Sequence, residues 1–260
     1  MPTDPTSKFA AFRARREAYA LAPFSDSALI GTHYLSETPE TVDPIAGTWY
    51  ATPDAVVGVG LDPADVTDLQ EGVAWVDGNL VFAPEKSAVW RGLRLLAIAR
   101  IGLLGLRVFD PEAETRTTLA GIDVYGYDPQ WVIEAEFVLL APEDVEITLV
   151  TGRKVPVTVT AQFTFQHPVD GQSVTMQVNG EIGQPTSISF LDTAAKEAGA
   201  PLRFLPIRWP EGGAGKTVVD FNYATLPPCS FSPHFMCPLP LPGNRLSFPV
   251  RAGERALVRK

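Results

Sequence analysis

Alternating apolar and polar residues form the strongest pattern in the middle of the chain. From residue 155 to 165 the apolar residues at odd positions alternate with polar ones that are mostly Thr and Gln. Residues 131–137 and 174–178 alternate in the same way. A period of two is typical of a strand with one face in the core and the other in water. The pattern therefore predicts a strand in each of these segments.

The connections between the alternating segments are short and rich in glycine. Asp77-Gly78 separates residues 73–76 from residues 80–82, and Asp-Gly supplies the positive φ angles that a type I′ hairpin turn requires. Gly152, Gly171 and Gly180 mark similar turns further along. Parallel strands need a crossover of a dozen or more residues, so these strands are antiparallel. We expect an all-β fold, an antiparallel meander that closes into a barrel or folds into a sandwich; the pattern leaves both open.

Helical patterns are few. Asp4-Pro5 is a typical helix start, and the apolar residues that follow predict an amphipathic helix to about Ala20. Shorter helices are expected from Asp62-Pro63 to about Gln70 and from Asp192 to Glu197, each with an acidic cap and a glycine after its end. In the first helix the basic residues Arg13, Arg15 and Arg16 are interpreted as a solvated face.

Composition supports one folded β-rich domain. The chain has 260 residues, 45% of them hydrophobic, with 21 Gly and 24 Pro, which favours many turns and few long helices. We expect a single domain over residues 1–260. It comprises an N-terminal helical segment (1–21), an antiparallel β core (47–210) and an irregular Pro-rich C-terminal segment (216–260) wrapped over one end.

Charge and hydropathy exclude several classes of partner. The net charge of −9 opposes a phosphate backbone or an anionic membrane as the main partner. The most apolar stretch, residues 89–109, contains four arginines, which makes it unsuitable as a membrane span. The first twenty residues are charged and lack the apolar core of a secretory signal. We therefore expect a cytoplasmic protein with no nucleic-acid or membrane partner; the oligomeric state is not predicted.

The C-terminal segment carries the most specific motifs. In order they are Asp220-Phe-Asn222, Pro-Pro-Cys229, Cys237-Pro-Leu-Pro240, Asn244-Arg-Leu246 and Ala-Gly-Glu254. This series resembles the bacterial and archaeal family known as domain of unknown function 1684. The resemblance continues upstream through the segment from Arg107 to Asp110 and spans roughly residue 89 to the end. It supports the fold, but the family implies no activity.

Seven polar residues carry this resemblance and form a candidate ligand-binding cluster: Arg107, Asp110, Asp220, Asn222, Asn244, Arg245 and Glu254. In a structural role, Asp and Asn bond backbone N–H groups in turns, and arginine binds carboxylates to hold the C-terminal segment on the sheet. In a functional role, they line the mouth of a barrel and orient a small ligand whose apolar part lies inside.

The two cysteines allow three interpretations. Cys229, His234 and Cys237 are zinc-type ligands, but they are three where a structural site needs four, so no metal is predicted. Cys229 and Cys237 are candidates for a disulfide, although cytosolic reduction opposes it. The remaining interpretation is two buried thiols that fill an irregular segment.

No complete catalytic motif is present. The sequence lacks a G-x-S-x-G elbow, and Gly212-Gly-Ala-Gly-Lys216-Thr217 lacks the first glycine of a phosphate-binding loop, so we interpret it as a hairpin turn. Our leading hypothesis is a non-enzymatic protein that binds a small molecule, with no cofactor. One alternative is an enzyme that uses a carboxylate and arginine cluster. The other is a structural or interaction module.

Overall fold

The computed structural model describes residues 4–100 and 102–260, so the first three residues of the expected segment 1–21 lie outside it. Strands account for 45% and helices for 18% of the chain, which confirms a mainly β fold. The backbone divides into two compact units. We call residues 21–119 the inserted unit, and residues 4–20 with 120–260 the main unit. The prediction of one domain over 1–260 stays a prediction.

The helices and strands follow one another in this order. Helix α1 spans Pro5–Ala20. The strands and helix of the inserted unit are β1 (Leu29–Tyr34), β2 (Thr48–Ala51), β3 (Val56–Val59), β4 (Val66–Thr67), β5 (Val73–Val76), β6 (Asn79–Phe82), β7 (Ser87–Trp90), β8 (Leu93–Arg100), β9 (Leu103–Phe109) and α2 (Glu114–Thr117). The later elements are β10 (Leu119–Val124), β11 (Val132–Thr148), β12 (Lys154–Gln166), β13 (Ser173–Asn179), β14 (Thr186–Phe190), α3 (Thr193–Glu197), β15 (Arg203–Ile207), β16 (Gly215–Asp220), α4 (Pro228–Phe231) and β17 (Glu254–Arg259).

The inserted unit consists of two sheets, ordered β1-β9-β8-β7-β4 and β2-β3-β6-β5. Both contribute side chains to one apolar core, including Trp49 and Phe82, whose ring centroids are 6.1 Å apart. Gly58 lies beneath the Trp49 ring, and a Cβ there would approach the ring to 2.7 Å. Only glycine therefore allows β3 to pass this close to Trp49.

The main unit contains a four-stranded sheet ordered β13-β12-β11-β16, together with the pairs β14-β15 and β10-β17. The fold contains a half-barrel sheet; we use this name for the four-stranded sheet, which packs one face against an aromatic core. Phe137 and Phe163 stack at 5.0 Å in this core, and Phe221 contacts Phe165 and Phe190. These fully buried side chains fill the interior of the half-barrel.

The antiparallel arrangement expected from the short turns is confirmed, because every ladder whose register is described runs antiparallel. Asp77 and Gly78 have φ angles of 48° and 79°, as a type I′ turn requires. The three alternating segments are strands β11, β12 and β13.

The helix predictions were less uniform. The N-terminal helix and the helix after Asp192 are confirmed. The helix expected from Asp62 to about Gln70 is wrong. The Asp62 side chain does accept a hydrogen bond from Ala64 N, but only a three-residue turn forms, because Val66 is buried as part of β4 and pairs with Trp90.

A buried ion pair next to strands β14 and β15 holds the C-terminal segment in place. The Arg203 guanidinium donates to Asp192 at 2.8 Å, and the two side chains are 1% and 0% exposed. Arg203 also donates to the carbonyls of Val250 and Ala252. The arginine that holds this segment is therefore Arg203, which lies in none of the C-terminal motifs; the expectation that Arg107 or Arg245 does so stays a prediction.

Within the described residues, none of the helices has the length and apolar character needed to cross a membrane.

Candidate functional site

A groove of about 500 Å³ lies on the outer face of the half-barrel, where α1 meets β15 and β16. Its position follows from strand alternation. Ile133 and Val219 point into the core, so Val132 on β11 and its register partner Asp220 on β16 face outward. Val218 faces the same way and is 50% exposed. We call this cavity the outer groove.

Helix α1 and two loops add an aromatic wall to the outer groove. Phe12 from α1 contacts the Tyr223 ring edge-on, with centroids 4.9 Å apart. The buried Phe9 lies one turn earlier, and its ring centroid is 5.6 Å from that of Tyr127 and 6.0 Å from that of Tyr223. Burial raises the pKa of both tyrosines, and the charge of Asp220 adds to this. Their phenols therefore remain hydrogen-bond donors at neutral pH.

Three charged residues line the outer groove: Lys8 from α1, Arg208 after β15, and Asp220 at the end of β16. Burial raises the pKa of the Asp220 carboxyl, against the opposing effects of hydrogen bonds from Asn222 and the charge of Arg208. In the part of the chain that the structure describes, neither Lys8 nor Arg208 forms an ion pair. Two cationic side chains and one carboxylate therefore line the groove and can contact a ligand.

Asp220 is held in position by the turn that follows it. Its Oδ1 accepts hydrogen bonds from Asn222 N at 3.0 Å and Asn222 Nδ2 at 2.8 Å. No residue among those described donates to Oδ2. The buried Asn222 amide also pairs with the backbone of Asp128, next to Tyr127, through two bonds of 2.9 Å. The Asp-Phe-Asn motif thus fixes both the carboxylate and the aromatic wall.

Glu254 anchors the helix that forms one side of the groove. Arg16 of α1 donates to both carboxylate oxygens of Glu254, at 2.8 and 2.9 Å, and Leu226 N donates to Oε2 at 2.7 Å. Glu254 is 1% exposed and Arg16 21%. Arg13 reaches the carbonyl of Ile122 at 3.3 Å. The interpretation of these arginines as a solvated face is therefore wrong for Arg16 and Arg13.

Asn244 joins two strands rather than lining the groove. Its buried amide accepts from Gln177 N on β13 at 2.7 Å and donates to the carbonyls of Gln177 and of Ser189 on β14, at 3.0 and 3.1 Å. The side chain thus replaces a backbone partner between β13 and β14. The neighbouring Arg245 is exposed.

Arg107 and Asp110 belong to the inserted unit. Arg107 is half-buried on β9, and burial lowers the pKa of its guanidinium. The Asp110 side chain accepts a hydrogen bond from Glu112 N at 2.8 Å, which closes the turn after β9. Of the seven candidate residues, the structure places Asp220 in the outer groove with Asn222 as its support. Glu254 and Asn244 hold the surrounding segments.

Most of the groove residues carry no functional signal in the sequence. Lys8 and Arg208 belong to no motif, and Phe12 is one of the apolar residues that predict α1. Tyr223 directly follows Asp-Phe-Asn, and this nearness to a motif is the one signal in the sequence that points to it. Tyr127 lies in none of the motifs described above.

The two cysteines lie close together with free thiols. Cys229 N donates to the sulfur of Cys237 at 3.3 Å. Hydrogen bonding with Cys237, followed by burial, raises the pKa of Cys229. A disulfide between them stays a prediction. His234 is exposed, and in residues 4–100 and 102–260 no three His, Cys, Asp or Glu side chains are grouped to hold a metal ion.

Comparison with known proteins identifies the main unit. The model of a family described as "Protein of unknown function (DUF1684)" matches residues 117–255, more than half of the 260 residues. This match confirms the resemblance seen in the sequence. It begins after Arg107 and Asp110 and also leaves out α1.

A solved structure is also similar. It is the solution NMR structure of an uncharacterized protein from gene locus rrnAC0354 of Haloarcula marismortui, with 27% sequence identity and a TM-score of 0.41. The similarity covers 52% of this chain and 76% of that chain. None of the curated proteins matches the chain.

Proposed function

Because the chain belongs to the family of proteins of unknown function DUF1684, we propose a function from the geometry: the protein binds a small molecule in the outer groove without transforming it. The observation that carries this proposal is the groove itself, with its three aromatic rings and three charged groups. Its volume of about 500 Å³ lies in the usual range of roughly 300–1,000 Å³ for small-molecule sites.

The lining has the composition that small-molecule sites require. Pro5, Val132, Pro206 and Val218 supply an apolar surface, and the charged groups fix orientation. Asp220 lies within the matched residues 117–255, and no described residue donates a hydrogen bond to its Oδ2. A ligand in this groove would contact residues inside the family match and residues of α1.

A pair of matched variants tests the site. Val218 and Val138 both face outward on the same sheet, with 50% and 48% exposure, but only Val218 lines the groove. We expect compounds that raise the melting temperature of the wild type to do so equally in Val138→Trp and to lose the effect in Val218→Trp. Equal shifts in both variants, or no shift by any compound in a broad library, would refute the proposal.

The raised pKa of Asp220 favours an enzyme as a second candidate. A carboxyl whose pKa lies nearer neutrality serves better as a general acid or base. In that case a bound compound would be converted, and Asp220→Asn would stop the conversion while binding remained. Mass spectrometry of each binding compound after incubation distinguishes the two functions, since a carrier returns the compound unchanged.

The remaining proposals concern location and partners. We propose a cytoplasmic protein whose partner is this small molecule and not a nucleic acid or a membrane. The net charge of −9 and the low cysteine count, two in 260 residues, support this. Cell fractionation with an antibody against the protein tests the location.

A further inference from the structure

We propose that the ligand of the outer groove is an aromatic monoanion that also carries an N–H or O–H donor. This inference rests on the proposed function, because it assigns a chemical class to the same site. In this proposal, Lys8 and Arg208 bind the anionic group of the ligand, and Asp220 accepts a hydrogen bond from its N–H or O–H. The aromatic ring of the ligand packs against Phe12 and Tyr223.

The charge of the lining favours an anion. Lys8 and Arg208 outnumber Asp220, and neither cation is neutralised by an ion pair among the described residues. Two nearby charges, Asp4 and Arg15, act on Tyr127 and Tyr223 respectively and offset each other. The groove therefore has an excess positive charge in a protein whose net charge is −9. An anion is attracted to this site against the repulsion of the whole molecule.

The position of Asp220 calls for a hydrogen-bond donor on the ligand. Both donors that hold the carboxylate bind Oδ1, which leaves Oδ2 as the acceptor for a bound molecule. Asp220 Oδ2 is not one of the buried polar atoms that lack a partner, so water reaches it, and a ligand N–H or O–H can replace that water as its donor. A ligand without a donor would displace water from this oxygen and make no hydrogen bond to it.

The aromatic wall selects a flat apolar body. The rings of Phe12 and Tyr223 pack edge to face. Phe9 contacts the rings of both Tyr127 and Tyr223. Aromatic rings pack against each other in edge-to-face or offset geometry, which contributes beyond buried area. A planar ring of the ligand therefore has a preformed surface to pack on.

Three fluorescent probes separate these requirements. Anilinonaphthalene sulfonate has an aromatic body, one anionic group and an N–H donor. Phenylnaphthylamine has the same rings and N–H but no charge, and dimethylaminonaphthalene sulfonate keeps the anion but lacks the N–H. Each is titrated into the wild type and into the Val218→Trp and Val138→Trp proteins, so that only binding to the groove is counted.

We expect the anilino sulfonate to bind tightest. Arg208→Gln should weaken it about threefold or more, as for the loss of one partly exposed ion pair, and should leave the neutral probe unchanged. Arg245→Gln, at an exposed arginine outside the groove, is the matched control and should affect neither probe. Lys8→Gln should behave like Arg208→Gln.

Asp220→Asn tests the donor. The Asn side chain can still accept both hydrogen bonds from Asn222, so the turn is retained. Removing the negative charge favours both anionic probes equally, so the informative quantity is the ratio of their affinities. We expect the preference for the N–H probe over the dimethylamino probe to fall by about threefold or more. A hydrogen bond to a buried charged group would contribute more, and the partial exposure of Asp220 reduces this contribution.

The outcomes distinguish this inference from the proposed function. Equal affinity for the neutral and anionic probes, blocked by Val218→Trp, would overturn the ligand class while leaving a small-molecule site. An unchanged probe ratio in Asp220→Asn would overturn the role of the donor. Probe binding that Val218→Trp does not reduce would count against both proposals.

Discussion

Replacing Arg16 by Met should destabilise the protein by removing the bidentate contact between α1 and Glu254. Met keeps an unbranched apolar stem, so packing of the side chain near Phe231 is largely retained. The variant leaves the Glu254 carboxylate, which is 1% exposed, with Leu226 N as its one described donor. A buried charge without its partner is the dominant cost.

The size of the effect follows from the burial of the two partners. Removing one partner of a fully buried ion pair costs about 3–5 kcal/mol. Arg16 is 21% exposed, so water reaches part of the site and the lower end, about 3 kcal/mol, is expected. For a chain of this size each kcal/mol lowers the melting temperature by about 2–4 °C, which makes the shift easy to measure.

Urea denaturation of four proteins completes the test: the wild type, Arg16→Met, Glu254→Gln and the double variant. The double variant should be more stable than the sum of the single changes by about 1.5 kcal/mol or more, because it leaves no unpaired buried charge. Arg255→Met is the matched control, since Arg255 lies next to Glu254 and forms an exposed pair with Asp123; it should cost less than about 1 kcal/mol. If Arg16→Met costs no more than this control, Glu254 does not anchor α1.

Three further predictions concern other residues of the motifs. Asn244→Leu removes the side-chain partner of three backbone groups, one buried (Ser189 O) and two partly buried (Gln177 N and O), and should cost about 2 kcal/mol or more, whereas the exposed Arg245→Gln should change unfolding by under about 0.5 kcal/mol. Burial raises the pKa of Asp220 above 3.8, so the folded protein holds this proton more tightly than the unfolded chain. The stability that this bound proton contributes is therefore full below pH 3.8 and is lost as the pH rises above it. In Asp220→Asn the melting temperature should lack this decline. Equal pH profiles of the wild type and the variant would contradict the assignment. The raised pKa of Cys229 predicts slow alkylation by iodoacetamide at neutral pH, and Cys237→Ala should accelerate it, as followed by mass spectrometry.

Local patterns determine the parts of the fold that were predicted correctly. The Asp77-Gly78 turn and the alternation in β12 are properties of a few adjacent residues. The segment after Asp62 was predicted wrongly because its capping signal is also local, whereas the pairing of Val66 with Trp90 is not. Tertiary pairing overrode a weak helical preference there.

The candidate site was predictable only in part, for the same physical reason. Asp220 and Asn222 are two residues apart and act together, so one motif contains both. Lys8 and Arg208 are 200 positions apart and meet through the docking of α1 on the half-barrel. Nothing in the sequence near either residue indicates the other. Asn244 is a motif residue whose amide could bind a ligand, but in the structure it joins strands β13 and β14 by hydrogen bonds.

The outer groove is lined by residues inside the family match and by residues outside it. Asp220 and its Asn222 support lie within the matched residues 117–255, as do the tyrosines, Arg208 and Glu254. Pro5, Lys8 and Phe12 lie on α1, outside the match. One of the two cations and one of the three rings therefore depend on a helix that the family model does not describe. The matched segment supplies the carboxylate and the anchor for α1, and α1 completes the charge and the aromatic wall. If the proposed ligand binds, both segments contribute to its selectivity, and the hydrogen bonds from Arg16 to Glu254 hold them together.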